Sequence, residues 1–218
     1  MATFLNRRHF SALAVFTAVA GFSSPKGAGA KARTHTILVV GDSLSAEYGI
    51  QRGTGWVALM AQRIAAEKLP ATVVNASISG DTTSGGRSRL AALLQTHQPT
   101  VVVIELGGND ALRGLPLQMT QDNLQAMTRA AQATGAQVLL LGMEVPPNYG
   151  QDYAQRFGAT LCHGGARHPR QTGAVFVENV ADGPDATRLF QSDRIHPLEA
   201  AHPIILNNVW PTLKKMIA

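Results

Sequence analysis

The chain has 218 residues, of which 45% are hydrophobic and 15% charged. That balance fits one globular domain with a sizeable core and excludes a disordered chain. The net charge is +5, but Arg7, Arg8 and Lys26 fall in the first 30 residues, which hold no acid. Without those three the count is 16 basic against 14 acidic residues, about +2. With no Lys/Arg cluster further on, nucleic acid is excluded as a partner.

The N-terminus reads NRRHFSALAVFTAVAGFSSPKGAGAKA. A basic start, an apolar stretch from about Ala12 to Phe22 and the small residues Ala28-Gly29-Ala30 have the layout of a secretory signal. The apolar stretch is too short to span a bilayer. Arg7-Arg8 with Phe10 behind it resembles a twin-arginine signal; an ordinary secretory signal with two arginines is the plainer reading. Residues 1–30 are therefore expected to be a signal peptide, and the product to be periplasmic or secreted, without stable membrane insertion. Cys162 is the one cysteine, so no intramolecular disulfide can form, and it reads as a small buried hydrophobe.

From residue 34 onward, short β-branched runs alternate with amphipathic segments. Strands are expected at Ile37–Val40, Thr72–Asn75, Val101–Leu106, Gln137–Gly142 and Ala174–Val177, each nearly continuous in apolar character, as for strands buried on both faces. Helical patterns run from about Gly55 to Glu67, Thr83 to Gln95, Thr120 to Thr134, Asp152 to Cys162 and Leu198 to Met216. Strand and helix in alternation imply a parallel sheet covered on both sides. The expected fold is α/β: a three-layer α/β/α sandwich with a five-stranded parallel sheet of flavodoxin-like order 2-1-3-4-5.

In such sheets ligands bind at the carboxyl ends of the strands. The first strand is followed by Gly41-Asp42-Ser43, the second by Asn75-Ala76-Ser77-Ile78-Ser79-Gly80-Asp81, and the third by Gly107-Gly108-Asn109-Asp110. The topology brings all three tips to one edge. Ser43 could be a turn residue, or a nucleophile if a base stands beside it. Gly80 could bring a backbone N–H close to a substrate, and the Asn109 amide could donate to a developing oxyanion; both could equally serve their turns.

Seven histidines could supply the base. His196 stands out, in Ser192-Asp193-Arg194-Ile195-His196-Pro197 just before the last helix. Asp193, three residues earlier, can meet one ring nitrogen and leave the other for Ser43. His163 and His168 sit in a Gly/Arg/Pro-rich loop and read as solvated. No acid or cysteine accompanies the histidines at ligand spacing, so no metal site is expected.

These pieces together resemble the SGNH hydrolases, the GDSL esterase/lipase family. GDSLS, NASISGDTTSGG, VVVIELGGNDALRG and DRIHP match its blocks, and the likeness runs from about residue 34 to 216, including VPPNYG. It is nearest to bacterial exported arylesterases and the periplasmic acyl-thioesterase/lysophospholipase type. The resemblance implies Ser43 as nucleophile, His196 as general base and Asp193 as its orienter. It implies an oxyanion hole from the Ser43 N–H, the Gly80 N–H and the Asn109 amide, with no cofactor. A single domain over 34–218 acting as a monomer on a small-molecule ester or lipid is the expectation; a thioesterase or lysophospholipase with the same site is the alternative, and a non-catalytic carbohydrate- or lipid-binding module a remote one.

Two departures from the family pattern stand out. Glu47 occupies a position that relatives usually fill with glycine, and Leu161–Gln171 lacks the apolar helix-end pattern expected there. Glu47 reads either as a solvated helix-start glutamate, favourable at an N-terminus, or, if Ser43 opens a helical turn, as a same-face residue at the rim of the site. It would then repel anionic substrates such as acyl-CoA and favour neutral esters. Glu144–Gly150 follows the fourth strand, and Pro146 and Tyr149 are expected to border the acyl pocket, unless the segment is a plain connecting loop.

Overall fold

The computed structural model describes residues 34–143, 152, 154–158, 171–175, 180 and 188–218. The expected signal over 1–30, Pro146, Tyr149, Cys162, His163 and His168 lie outside the described residues. Among the described residues no helix is long and apolar enough to cross a membrane.

The elements run β1 (His35–Gly41), α1 (Trp56–Ala66), β2 (Ala71–Asn75), α2 (Thr83–His97), β3 (Val101–Glu105), α3 (Gly108–Leu112), α4 (Leu117–Ala133), β4 (Gln137–Gly142), β5 (Gln171–Val175) and α5 (His202–Ile217). A 3₁₀ turn, Glu199–Ala201, leads into α5. The strands pair in parallel in the order β2-β1-β3-β4, and the backbone of β5 pairs with β4. Residues 154–158 are helical.

The apolar runs are continuous because both faces of the sheet are covered. Ile37 and Val39 of β1 pack with Trp56 and Met60 of α1 and with Ile205, Val209 and Leu213 of α5. Leu38 and Val40, one residue out of phase, pack with Leu90 of α2 and with Leu124 and Met127 of α4. The period-two alternation of a strand divides β1 between two cores. Each fully buried aliphatic side chain contributes on the order of 1.5–3 kcal/mol.

The boundaries differ from expectation where a side chain is used elsewhere. α4 begins at Leu117, not Thr120, because the Thr120 hydroxyl does not cap a helix: it is buried and donates to Asp110 Oδ1 at 3.2 Å. α2 runs on to His97 and stops at Gln98, whose φ of 43° is left-handed. The fifth strand begins at Gln171, three residues before the expected start. The short α3 was not expected: its five residues, Gly-Asn-Asp-Ala-Leu, are too few for a periodic pattern.

Candidate active site

β1 runs out at Gly41 with a close approach that only glycine permits. A Cβ there would lie 2.7 Å from Ser45 Oγ and 2.8 Å from Glu105 Oε2. The chain then turns: the Ala46 N–H donates to the Asp42 carbonyl at 2.9 Å and the Tyr48 N–H to the Ser43 carbonyl at 3.3 Å. The Asp42 side chain tightens the turn by accepting the Leu44 N–H at 3.1 Å. Ser43 is left half-buried at the carboxyl edge of the sheet.

The loop before α5 delivers its partner. His196 Nε2 lies 2.9 Å from Ser43 Oγ, and His196 Nδ1 lies 2.7 Å from Asp193 Oδ2. The other Asp193 oxygen accepts the N–H groups of Ile195 at 2.9 Å and His196 at 3.0 Å. One carboxylate thus fixes both the ring and the backbone of the loop. The hydrogen bond from His196 pulls the Asp193 pKa down to about 2, with the two backbone N–H donors adding to it. Because Asp193 then only accepts, it selects the tautomer with hydrogen on Nδ1 and leaves Nε2 free to take a proton from Ser43.

Two further contacts bind the serine loop to the histidine loop. The Tyr48 ring lies 4.4 Å from the His196 ring, centroid to centroid, tilted by 42°. The Gln191 amide donates to the Tyr48 carbonyl at 3.0 Å and to the Pro197 carbonyl at 3.3 Å, while its backbone N–H donates to the His196 carbonyl at 2.8 Å. Neither Tyr48 nor Gln191 carries a motif that sequence reading could single out.

Gly80 and Asn109 complete the edge. The Ile78 N–H donates to the Gly41 carbonyl at 3.0 Å, tying the loop after β2 to the serine turn. Gly80 has φ 78°, in the region that favours glycine, and its carbonyl accepts Arg113 Nη2 at 2.7 Å. Asn109 sits in the first turn of α3 and donates through Nδ2 to Asp42 Oδ2 at 3.0 Å. The next residue, Asp110, is buried and accepts from the Thr83 N–H at 2.9 Å and the Thr83 hydroxyl at 2.5 Å, locking α3 to the start of α2.

Beneath the serine turn lies a buried pair of carboxyls. Glu105 Oε2 accepts the Asp42 N–H at 3.3 Å and the Ser45 hydroxyl at 2.7 Å, and Ser45 Oγ in turn accepts the Trp56 indole N–H at 3.1 Å. Burial pushes the Asp42 pKa up to about 6, against the hydrogen bonds from Leu44 and Asn109. Burial and then the neighbouring Asp42 charge push Glu105 well above the usual carboxylate range. A lone acid closing the apolar run Val-Val-Val-Ile-Glu is the sequence signal for Glu105.

Glu47 corrects an expectation. Its φ is 59°, so the turn after Ser43 is not a continuing helix and the same-face argument fails. Its carboxylate accepts the N–H groups of Gly53 and Gly55, each at 2.9 Å. The carboxylate is tied to the backbone of its own loop. The left-handed φ also gives the physical reason why glycine suits this position.

Known proteins are similar to this chain in sequence and in fold. The chain is 48% identical to Esterase TesA of Pseudomonas aeruginosa over 187 residues, covering 86% of this chain and 92% of that one. It is 37% identical to Thioesterase 1/protease 1/lysophospholipase L1 of Escherichia coli over 186 residues, 85% of this chain and 86% of that one. The crystal structure of the psychrotrophic esterase EstA from Pseudoalteromonas sp., inhibited by monoethylphosphonate, superposes with a TM-score of 0.76 at 38% identity, covering 83% of this chain and 97% of that one. Residues 39–204, the span from the serine turn through the Asp193–His196 loop into α5, match the GDSL-like lipase/acylhydrolase family, and the chain belongs to it.

Proposed function

We propose that the chain is an exported serine esterase that hydrolyses carboxylic esters with aryl or short to medium acyl groups. The observation that carries this reading is the contact of His196 Nε2 with Ser43 Oγ at 2.9 Å, with Asp193 2.7 Å behind the ring. Ser43 Oγ attacks the ester carbonyl carbon while its proton passes to His196 Nε2. The carbonyl oxygen becomes an oxyanion that accepts the Ser43 N–H, the Gly80 N–H and an Asn109 Nδ2–H. His196 returns the proton to the leaving alkoxide as the C–O bond breaks. Water, deprotonated by His196, then releases the acid from the acyl-enzyme. No step calls for a metal or cofactor.

The surroundings favour an apolar substrate. Tyr48, Ile78, Leu112 and Ile195 are the large apolar side chains that stand exposed among the described residues, and each lies within a few positions of Ser43, Gly80, Asn109 or His196. Singly such residues need no explanation, but grouped around one edge they suit the apolar parts of an ester. The thioesterase and lysophospholipase activities in the name of the Escherichia coli relative require the same steps. The N–H groups of Gly53 and Gly55 hold the Glu47 carboxylate against its own loop, which weakens the charge argument against acyl-CoA. A non-catalytic binding module is disfavoured because Ser43, Asn109, His196 and Asp193 are all present.

The rest of the reading follows the same line. Residues 1–30 act as an export signal, with a periplasmic or secreted product, and 34–218 form one hydrolase domain acting as a monomer. Helices packed on both faces, with β5 beside β4, support a five-stranded three-layer sandwich of flavodoxin-like order. Fluorophosphonate labelling of the wild type and of Ser43→Ala tests the assignment. Label should be lost in the variant and hydrolysis should fall to about a thousandth or less. A Ser43→Ala protein that labels or turns over aryl esters normally sinks it. A panel of aryl esters, acyl-CoAs and lysophospholipids then ranks the substrates.

A further inference from the structure

A side-chain amide has two unlike ends, and only one of them helps an oxyanion. Asn109 could present its Oδ1 or its Nδ2 to the reacting carbonyl, and the first would repel the developing charge. What decides between them is the group that the amide meets on its inner side. That group is the Asp42 carboxylate, with Oδ2 3.0 Å from Asn109 Nδ2. A carboxylate only accepts, so the NH2 end must face it. The second hydrogen on the same nitrogen then remains for the site.

Asp42 is itself held in place. It is 2% exposed. Its Oδ1 accepts the Leu44 N–H at 3.1 Å, and its own N–H donates to Glu105 Oε2 at 3.3 Å. Glu105 is anchored through Ser45 to the Trp56 indole. The carboxylate therefore has no freedom to follow the amide if it turns over. We propose that Asp42 is a positioning residue that orients the Asn109 amide, so that an N–H and not the carbonyl oxygen meets the oxyanion. This rests on the esterase reading and adds to it a residue that touches no substrate atom. It also gives the acid of the Gly-Asp-Ser turn a task beyond shaping the turn.

The test is a double-mutant cycle on Asp42→Asn and Asn109→Ala with a soluble aryl ester at pH 8. Asp42→Asn offers either end of a new amide to Asn109, so the orientation is no longer enforced. Its kcat should fall roughly 10- to 100-fold with KM nearly unchanged, less than the roughly 10²–10³-fold expected for Asn109→Ala. In the Asn109→Ala background, Asp42→Asn should cost less than about threefold, because nothing is left to orient. Losses that multiply across the cycle overturn the proposal, since Asp42 would then act on the turn or on Ser43 directly. The outcome differs from a failure of the esterase reading, in which Ser43→Ala and Asn109→Ala would both stay active. Should Asp42→Asn not fold, the wild-type protein labelled with 15N-asparagine supplies a second readout. One Asn109 side-chain proton, assigned by its absence in Asn109→Ala, should lie well downfield of a free amide. A pair at free-amide positions overturns the proposal.

Discussion

Glu105→Gln should stabilise the protein, and the gain should grow with pH. Glu105 is 0% exposed; its Oε2 has two donors, whereas its Oε1 is buried with no partner among the described residues. An ionised carboxylate would leave charge on that bare oxygen, next to Asp42. Burial first and the Asp42 charge second hold the native pKa well above the ordinary 4.5. Between those two values the native state binds one proton more than the unfolded chain. Stability therefore falls as pH rises, by up to about 1.4 kcal/mol per pH unit. Glutamine keeps the shape and the acceptor oxygen but has no such proton to bind. From pH 5.5 to 7.5 the variant should gain up to about 2.7 kcal/mol on the wild type, about 5–10 °C in Tm for a domain of this size. Thermal unfolding followed by circular dichroism at several pH values and fixed ionic strength measures the gap. Asp42 lies beside Glu105 and its own titration responds to the substitution, so the gap reports the interacting pair. A gap that does not widen would mean that Glu105 is ionised in the native state.

Asp193→Asn should lower kcat, but by roughly tenfold to a hundredfold less than His196→Ala, because the acid orients the base without exchanging protons itself. Equal losses in the two variants, or none in Asp193→Asn, would refute the division of roles. Gln191→Met keeps the bulk but loses the donor shared by the Tyr48 and Pro197 carbonyls. With about 1 kcal/mol per hydrogen bond at stake, kcat should drop roughly 3- to 10-fold at constant KM; a pure KM effect would show that Gln191 touches substrate instead. Glu47→Gly should relax the left-handed φ and lose the bonds to Gly53 and Gly55. The rates on a neutral ester and on an acyl-CoA should then change alike at low and high salt, and a selective, salt-sensitive gain on acyl-CoA would return Glu47 to the rim.

What could be read in the sequence was local or periodic. Val39 to Ser43 shows a buried strand stopping at glycine, and Asp193 and His196 are three residues apart, so their meeting needs one turn of loop and no knowledge of the rest. The placement of Ser43, Gly80 and Asn109 followed from strand ends sharing one edge. What escaped depends on register or on single dihedral angles. Glu105 comes two residues before a pair of glycines and could have ended its strand in water; it is buried because the pairing sets it beside Gly41, under Asp42 and Ser45. Thr120 looked like a helix start because its buried partner, Asp110, is distant in the pattern. Glu47 looked like a helical neighbour of Ser43 because a positive φ leaves no mark on composition. Gln191 acts through backbone carbonyls, which every residue carries.

The three carboxyls of this edge are set apart by their surroundings. Asp193, 39% exposed and hydrogen-bonded by His196, has its pKa pulled down to about 2 and is charged at neutral pH. It faces the ring that becomes positive during the reaction, so its charge helps. Asp42 and Glu105 lie under the serine turn, so in the proposed reaction, with the oxyanion at that turn, charge there opposes the reaction. One negative charge on Asp42 is held by a hydrogen bond from the Asn109 amide. A second unit charge at roughly 6 Å would raise the barrier by about 3 kcal/mol at an effective dielectric of 20, about a hundredfold in rate. A proton on Glu105 avoids that cost. Glu105→Gln should therefore leave kcat within about twofold at neutral pH while raising Tm. If kcat rises tenfold or more, Glu105 carries a charge during turnover, and its burial would be a burden on the reaction instead of a neutral support for it.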